Sequence, residues 1–378
     1  MAEIHGTCDE RFTGVRDVLA DNLDTGLDVG ASVSVVLDGK PVVDVWGGVA
    51  DAETGAPWER DTIINVWSTT KTMTFLCALM LADRGELDLY APVARYWPEF
   101  AAGGKEGVEV RHLMAHTAGL SGWSPAITLT DLYDWEKATS VLAAQEPWWE
   151  PGTASGYHAV TQGFLIGEVV RRITGQSLGT FFAKEVAEPL GADFHIGLPA
   201  AHDARVARLV TPPDNLGDAA AEDSIAHRTF ASAPFGAEVA WTTDWRRAEI
   251  PAANGHGNAR SVARIQAVLA CGGEIDGVRL LSAAGCERVF DEQIHGTDLV
   301  LGVPLRFGMG YGLNSEELPL SPNPHTCFWG GYGGSIIVID LDARMTVCYV
   351  MNRMESGLVG DMRGASVVFA AYAGLAAG

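Results

Sequence analysis

Residues 68–88 read STTKTMTFLCALMLADRGELD, opening on a run of hydroxyl side chains and closing around Gly85. Between these ends the apolar residues recur at helical spacing. Ser68 and the threonines suit a helix N-terminus and Gly85 suits the residue just past a C-terminus. The spacing predicts a helix of about four to five turns, apolar enough to be buried between two packed parts of the molecule.

Working outward, two β-rich runs between Ala31 and Val49 flank the polar turn Gly39-Lys40, the pattern of a hairpin, and Thr62 to Val66 reads as a further short strand. At the other end of the chain, Ser335 to Asp340 and Met345 to Asn352 read as strands around Asp342-Ala343-Arg344, followed by an apolar helix running to Ala377. Strands must pair, so the economical arrangement joins the two hairpins into one antiparallel sheet. The middle of the chain is mostly helical, with clear periodicity at Val160 to Thr174 and Leu178 to Ala187 and again at Val262 to Cys271 and Ser282 to Glu292. Periodicity is poor from Asp203 to Asn258, where long loops are expected. The fold class that follows is α/β of the α+β type: residues 1–66 and 235–378 form a sheet lobe flanked by helices, and 67–234 form an inserted, mostly helical lobe, with a site between them.

Composition narrows the function. The 378 residues are 47% hydrophobic and 20% charged, which is globular rather than fibrous or disordered. With 48 acidic against 26 basic side chains the formal charge is −22, which disfavours nucleic acid and anionic membrane as partners. Neither a basic, apolar leader at the N-terminus nor a run long enough to span a bilayer is read. The six cysteines are dispersed and form no C-x-x-C pair, so a reducing cytoplasm is the expected location.

Of five lysines, only Lys71 follows a serine by three residues, in Ser68-Thr69-Thr70-Lys71. On a helix, positions i and i+3 share a face, so hydroxyl and amine point into one space. A serine needs a base to become a nucleophile, and a lysine serves when burial keeps it neutral. Backbone N–H groups at the start of the helix would face the oxyanion that forms on attack. Read without function, the same residues are an N-cap and a snorkelling lysine.

Two later segments add to this, PGTASGYHAVTQGFLIGEVVRRITGQS with Tyr157 ahead of an apolar helix, and FWGGYGGSIIVID with Trp329-Gly330-Gly331. With the S-x-x-K tetrad they carry a resemblance covering almost the whole chain. It resembles the serine β-lactamase and penicillin-binding protein superfamily, most closely the family VIII carboxylesterase branch. The resemblance implies Ser68 as nucleophile, Lys71 and Tyr157 as proton movers, and the Ser68 and Tyr332 backbone N–H groups as oxyanion hole. It implies Trp329, Gly330 and Gly331 as substrate-binding residues, with the glycines letting substrate approach the strand edge.

Two departures from the family pattern stand out. Tyr157-His158-Ala159 replaces Tyr-x-Asn, and Trp329-Gly330-Gly331 replaces Lys-Thr-Gly. Without that lysine the usual anchor for a β-lactam or peptide carboxylate is missing, which favours esters.

Other readings are weaker. The glycines of 330–334 precede a strand and are followed by no Lys-Ser/Thr, so they do not form a phosphate cradle. His112 and His116 are spaced as in H-E-x-x-H, but Leu113 occupies the glutamate position. RHLMAHTAGLSGW is similar to a superfamily segment whose histidine is structural, and His158 reads first as a packing residue. Trp123, Trp148, Trp149, Trp241 and Trp329 are candidates to line an acyl pocket, Trp329 foremost, and Thr72 is a lesser candidate for shaping the site. No serine sits in G-x-S-x-G, which disfavours an α/β-hydrolase.

The expectation is a serine hydrolase that cleaves short-chain carboxylic esters through an acyl-enzyme, with no metal or organic cofactor. The alternatives are amide, peptide or β-lactam hydrolysis or acyl transfer on the same site, or a non-catalytic binding protein on the same scaffold. Oligomeric state, acyl chain length and stereoselectivity stay open.

Overall fold

The computed structural model describes residues 2–214, 216–218 and 220–377. Its main antiparallel sheet runs, from one edge, Ile4–Cys8, Lys40–Asp51, Gly30–Leu37, Met345–Met351, Ile336–Asp340, Thr326–Gly330, Gly312–Leu313, Pro304–Phe307 and Ile294–Thr297. The N-terminal and C-terminal hairpins meet at its centre, where Met345 to Met351 pairs in register with Leu37 to Ala31. All seven residues of Met345–Met351 are buried, because helices cover both faces. Thr346 Oγ1 donates to the Ala263 carbonyl of the Ala259–Ala270 helix on one face. On the other, Tyr349 packs against Gly364 of the Met362–Ala376 helix, which lies beside the Thr13–Asp24 helix.

The expected apolar helix is present as Lys71–Asp83, with every residue from Lys71 to Ala82 buried. It has no polar face, and packing surrounds it: the Thr161–Thr174 and Leu178–Phe182 helices and the short Ala283–Glu287 helix all lie against it. Ser68 is not the cap of an α-helix, as the hydroxyl-rich start suggests. It sits in a preceding 3-10 turn, Trp67–Thr70, entered through Trp67 at φ +48°. A bulky residue in the left-handed region costs on the order of 1–3 kcal/mol and persists only where packing enforces it. Here the Trp67 ring is held at 5.5 Å from the rings of both Trp245 and Tyr332.

The segment expected to be loops, 203–258, contains the short helices Ile225–Ala231 and Thr243–Arg247 and ends in a strand. That strand, His256–Gly257, lies between Ile64–Asn65 and Phe194–His195 in a small separate sheet. Two-residue strands carry too little periodicity to be seen in sequence. Ser282 to Glu292 resolves into the Ala283–Glu287 helix and a 3-10 turn at Arg288–Phe290. Among the described residues no helix is long and apolar enough to cross a membrane.

Candidate active site

The helix and its 3-10 entry bring the Ser68 and Lys71 side chains together at 3.0 Å, between Oγ and Nζ. Tyr157, eighty-nine positions on, donates its hydroxyl to the same Ser68 Oγ at 2.5 Å. Lys71 Nζ also lies 4.6 Å from the centre of the Tyr157 ring. Ser68 is 7% exposed, whereas Lys71 and Tyr157 are 0% exposed. The nucleophile candidate is therefore reachable and its two partners are dry.

Lys71 Nζ is completed by two carbonyls, Ala159 at 2.7 Å and Ala252 at 2.9 Å. The second carbonyl belongs to a segment fixed from below: Asn65 Nδ2 donates to the Ala253 carbonyl, and the Gly255 N–H donates to Thr70 Oγ1. Burial pushes the amine well below its ordinary pKa, and no carboxylate offsets that loss of solvation. Burial likewise holds the Tyr157 phenol above its ordinary value, opposed by its bond to Ser68 and by the nearby Trp329 indole. Burial thus shifts both groups toward their uncharged forms.

A layer of rings backs the phenol. His116, Trp329 and Phe307 pack together with centroids 5.3 to 5.8 Å apart, and Tyr157 lies 5.1 Å from His116 and 5.5 Å from Trp329. Trp329 is fully buried and its N–H, near the phenol, makes no well-formed hydrogen bond. His116 accepts the His158 N–H on Nδ1, and burial keeps it neutral. His158 bonds the Gly156 carbonyl through Nδ1 and accepts the Leu120 N–H on Nε2, with its pKa pushed down to about 3 by burial. Both rings are structural supports. His112 accepts the Glu109 N–H at its own helix start, so the two spaced histidines serve different ends. Among the described residues no three His, Cys, Asp or Glu side chains gather as a metal site.

Gly330 and Gly331 are glycines because the protein itself occupies the space beside them. A Cβ at residue 330 would lie 2.3 Å from the Val359 carbonyl carbon, and one at 331 would lie 2.3 Å from both Ser335 Oγ and the Val66 carbonyl oxygen. Ser335 Oγ bridges Val66 O and Thr69 Oγ1 at 3.0 Å each, stitching the 331–335 turn to the turn that carries Ser68. The turn is fixed further by the Gly331 N–H to Ser335 O, the Gly333 N–H to Gly357 O, and buried Arg363, which donates to the Gly333 carbonyl at 2.7 Å. Within it the Tyr332 N–H has no acceptor among the described residues, and its ring touches that of Trp67.

Thr72 does not face the site. Its hydroxyl donates to the Thr69 carbonyl and its own carbonyl accepts from Tyr311 and Gln266, anchoring the helix. Two cavities lie beside neighbours of the trio, and Ser68, Lys71 and Tyr157 themselves line neither. One, about 470 Å3, is lined by Ala159, Val160 and Trp123, and the other, about 520 Å3, by Tyr332, Val300 and Leu301. Leu216, Gly217, Asp218 and Phe230 border both. Trp329, the foremost candidate to line an acyl pocket, lines neither and is fully buried behind Tyr157. Trp148, Trp149 and Trp241 line neither: Trp148 stacks with Arg228, Trp149 donates to the Ala154 carbonyl, and Trp241 stacks with Arg208.

Sequence reasoning missed Asp298, a fully buried carboxylate that accepts the Tyr157 backbone N–H at 3.0 Å. It also missed the Ala159 and Ala252 carbonyls on Lys71. Backbone acceptors have no residue signature, and Asp298 sits in an ordinary polar turn, Gly296-Thr297-Asp298.

Comparison with known proteins identifies the family of the chain. The family described as Beta-lactamase matches residues 19–371. Esterase/beta-lactamase LipL of Mycobacterium tuberculosis is 39% identical over 370 residues, covering 94% of this chain and 84% of that protein. The crystal structure of a family VIII carboxylesterase superposes with a TM-score of 0.92 at 45% identity, covering 98% of this chain and 99% of the other. A penicillin-binding protein homolog from Caulobacter crescentus superposes with a TM-score of 0.90 at 37% identity, covering 98% and 100%. A family match along nearly the whole chain, on the fold the sequence implied, means that this protein belongs to the beta-lactamase family and is a serine hydrolase of it.

Proposed function

We propose that the protein hydrolyses short-chain carboxylic esters through an acyl-enzyme on Ser68, with Lys71 and Tyr157 moving protons. The observation that carries this reading is the set of partners around Lys71 Nζ: two carbonyls and one serine hydroxyl, in a site that favours the uncharged amine. A neutral amine has two N–H bonds and one lone pair. The carbonyls of Ala159 and Ala252 take the two hydrogens, which leaves the lone pair for the Ser68 O–H.

The steps balance on these groups. Ser68 Oγ gives its proton to Lys71 and bonds to the ester carbonyl carbon, while the carbonyl oxygen becomes an oxyanion facing the Ser68 and Tyr332 N–H groups. The oxyanion collapses, the C–O bond to the alcohol breaks, and the departing oxygen takes a proton relayed from Lys71 through the Tyr157 hydroxyl. Water then enters, gives a proton to the same pair and attacks the acyl carbon. Ser68 leaves with its proton restored and the acid is released. Because the amine and the phenol both bond Ser68 Oγ, they act as one coupled system.

Ester over lactam preference rests on Trp329, a buried apolar ring at the position where the family's Lys-Thr-Gly box would begin with a cation. Gly330 and Gly331 shape the strand end beside it. Turnover of p-nitrophenyl acetate, nitrocefin and a D-amino-acid amide tests the assignment. We expect ester turnover to exceed the other two, and faster turnover of nitrocefin or the amide overturns it.

A further inference from the structure

We propose that Asp298 is a positioning residue that sets the Tyr157 phenol on Ser68. This inference rests on the reading of Tyr157 as a proton mover. Tyr157 lies in 154–158, a stretch with no regular secondary structure, so neither helix nor strand fixes the phenol. Its place is set instead by individual hydrogen bonds. On one side His116 accepts the His158 N–H and its carbonyl accepts the Gly156 N–H. On the other, Asp298 Oδ1 accepts the Tyr157 N–H at 3.0 Å, and the Leu299 N–H donates to the Ser155 carbonyl at 2.8 Å.

The carboxylate is built as a joint. The same Oδ1 accepts the Val300 and Leu301 N–H groups at 2.9 Å each, which closes the local turn, while the bond to Tyr157 spans 141 positions of chain. The turn is closed again by the Asp298 N–H to Val303 O and the Gly302 N–H to Asp298 O. Asp298 is 0% exposed, and its other oxygen is buried without a partner. A turn alone would be served by one local acceptor. Burying a carboxylate is costly, and its distinguishing contact here is with the backbone of the residue that touches the nucleophile.

The turn also forms the wall of a cavity. Val300 and Leu301, whose N–H groups Asp298 accepts, line the 520 Å3 space that Tyr332 borders. Other buried ionisable groups are tied off within the fold. Lys105 donates to the carbonyls of Ala102, Ala143 and Gln145, and Arg363 serves the 331–335 turn.

A mutant cycle tests the proposal, with kcat for p-nitrophenyl acetate expressed per site titrated by a fluorophosphonate. Asp298→Ala removes the joint, and displacing a catalytic group by about 1 Å costs on the order of 10²-fold. We expect kcat to fall by roughly 10- to 100-fold with KM within about twofold, and Asp298→Asn, which keeps an acceptor oxygen, to recover most of it. In a Tyr157→Phe background, Asp298→Ala should add no further loss, because its effect runs through the phenol. Asp298→Ser supplies the second variant should alanine not fold: its short hydroxyl can close the local turn but does not reach Tyr157, and kcat should still fall.

Unchanged kcat per titrated site in the folded Ala or Ser variant, while Tyr157→Phe is slow, overturns the inference and leaves the reading of Tyr157 standing. So does a loss that adds fully to that of Tyr157→Phe. An Asn variant as slow as the Ala variant overturns it too. A Tyr157→Phe enzyme with wild-type turnover overturns the reading itself and this inference with it.

Discussion

Gly331→Ala puts one methyl group between two turns that the site needs in contact. The added Cβ would lie 2.3 Å from the Val66 carbonyl oxygen and from Ser335 Oγ, about 1 Å inside the 3.4 Å where ordinary contact begins. Ser335 has little freedom to give way, because its hydroxyl bridges Val66 O and Thr69 Oγ1. Val66 O is backbone, two residues before Ser68. The turns must therefore part, which moves the Tyr332 N–H away from the Ser68 N–H. A shift of about 1 Å in such a pair should lower kcat by roughly 10²-fold, and the overpacking should cost about 1–3 kcal/mol. The assay is p-nitrophenyl acetate turnover per titrated site, with thermal unfolding alongside. Gly330→Ala is the comparison, since its Cβ would meet Val359 and Gly360 instead. It should lose similar stability with a rate loss of about fivefold or less. A Gly331→Ala enzyme with wild-type kcat and unfolding temperature would refute the reasoning.

Lys71→Arg keeps a cation that does not deprotonate, so kcat/KM should drop by at least about 10³-fold and stay low up to pH 10. In the wild type the amine's lowered pKa means that activity is lost as pH falls through the apparent pKa of the Lys71–Tyr157 pair and reaches its plateau well below pH 10.5. A pH–rate profile with its acidic limb near 10.5, or recovery of the Arg variant at high pH, contradicts this. His116, His158 and His256 are buried and neutral, the last two with pKa pushed down to about 3. Their folded values lie below the unfolded one, so the stability they contribute is complete above pH 6.5 and falls as pH drops toward 3. Between pH 7 and 5 His158 and His256 each account for about 2 kcal/mol of lost stability, readable as a fall in urea midpoint that substituting either one would shrink. Gly14 lies exposed in the Thr13–Asp24 helix, and a methyl added there would find nothing nearer than 3.9 Å. Gly14→Ala should raise stability by about 0.5–1 kcal/mol without changing kcat, and a lower urea midpoint would count against that helix.

Much of the sheet was legible because its central strands are long and apolar, and the hairpins at Ala31 to Val49 and Ser335 to Asn352 carry their turns with them. The Lys71–Asp83 helix was legible for its unbroken apolar run. The Ile4–Cys8 strand and the Thr13–Asp24 helix were not, being amphipathic or largely exposed. The tetrad at Ser68 and the box at Trp329 are local patterns and could be read directly. Tyr157 is legible through the family resemblance, by its distance after Ser68 and its place before an apolar helix. What stayed hidden is what long-range packing decides: the left-handed Trp67 that opens the turn carrying Ser68, the carbonyls that hold Lys71, and the carboxylate of Asp298 that accepts the Tyr157 N–H. The glycines at 330 and 331 were read as room for substrate, whereas the fold fills that room with Val359, Ser335 and Val66.

The central claim is that Ser68 is a nucleophile made reactive by Lys71. Intact-mass measurement after exposure to a fluorophosphonate, followed by peptide mapping, addresses it directly. The account predicts one adduct per chain, located on Ser68 and absent from Ser68→Ala and Lys71→Arg. An unmodified wild-type chain, or an adduct that persists in Ser68→Ala, would contradict it.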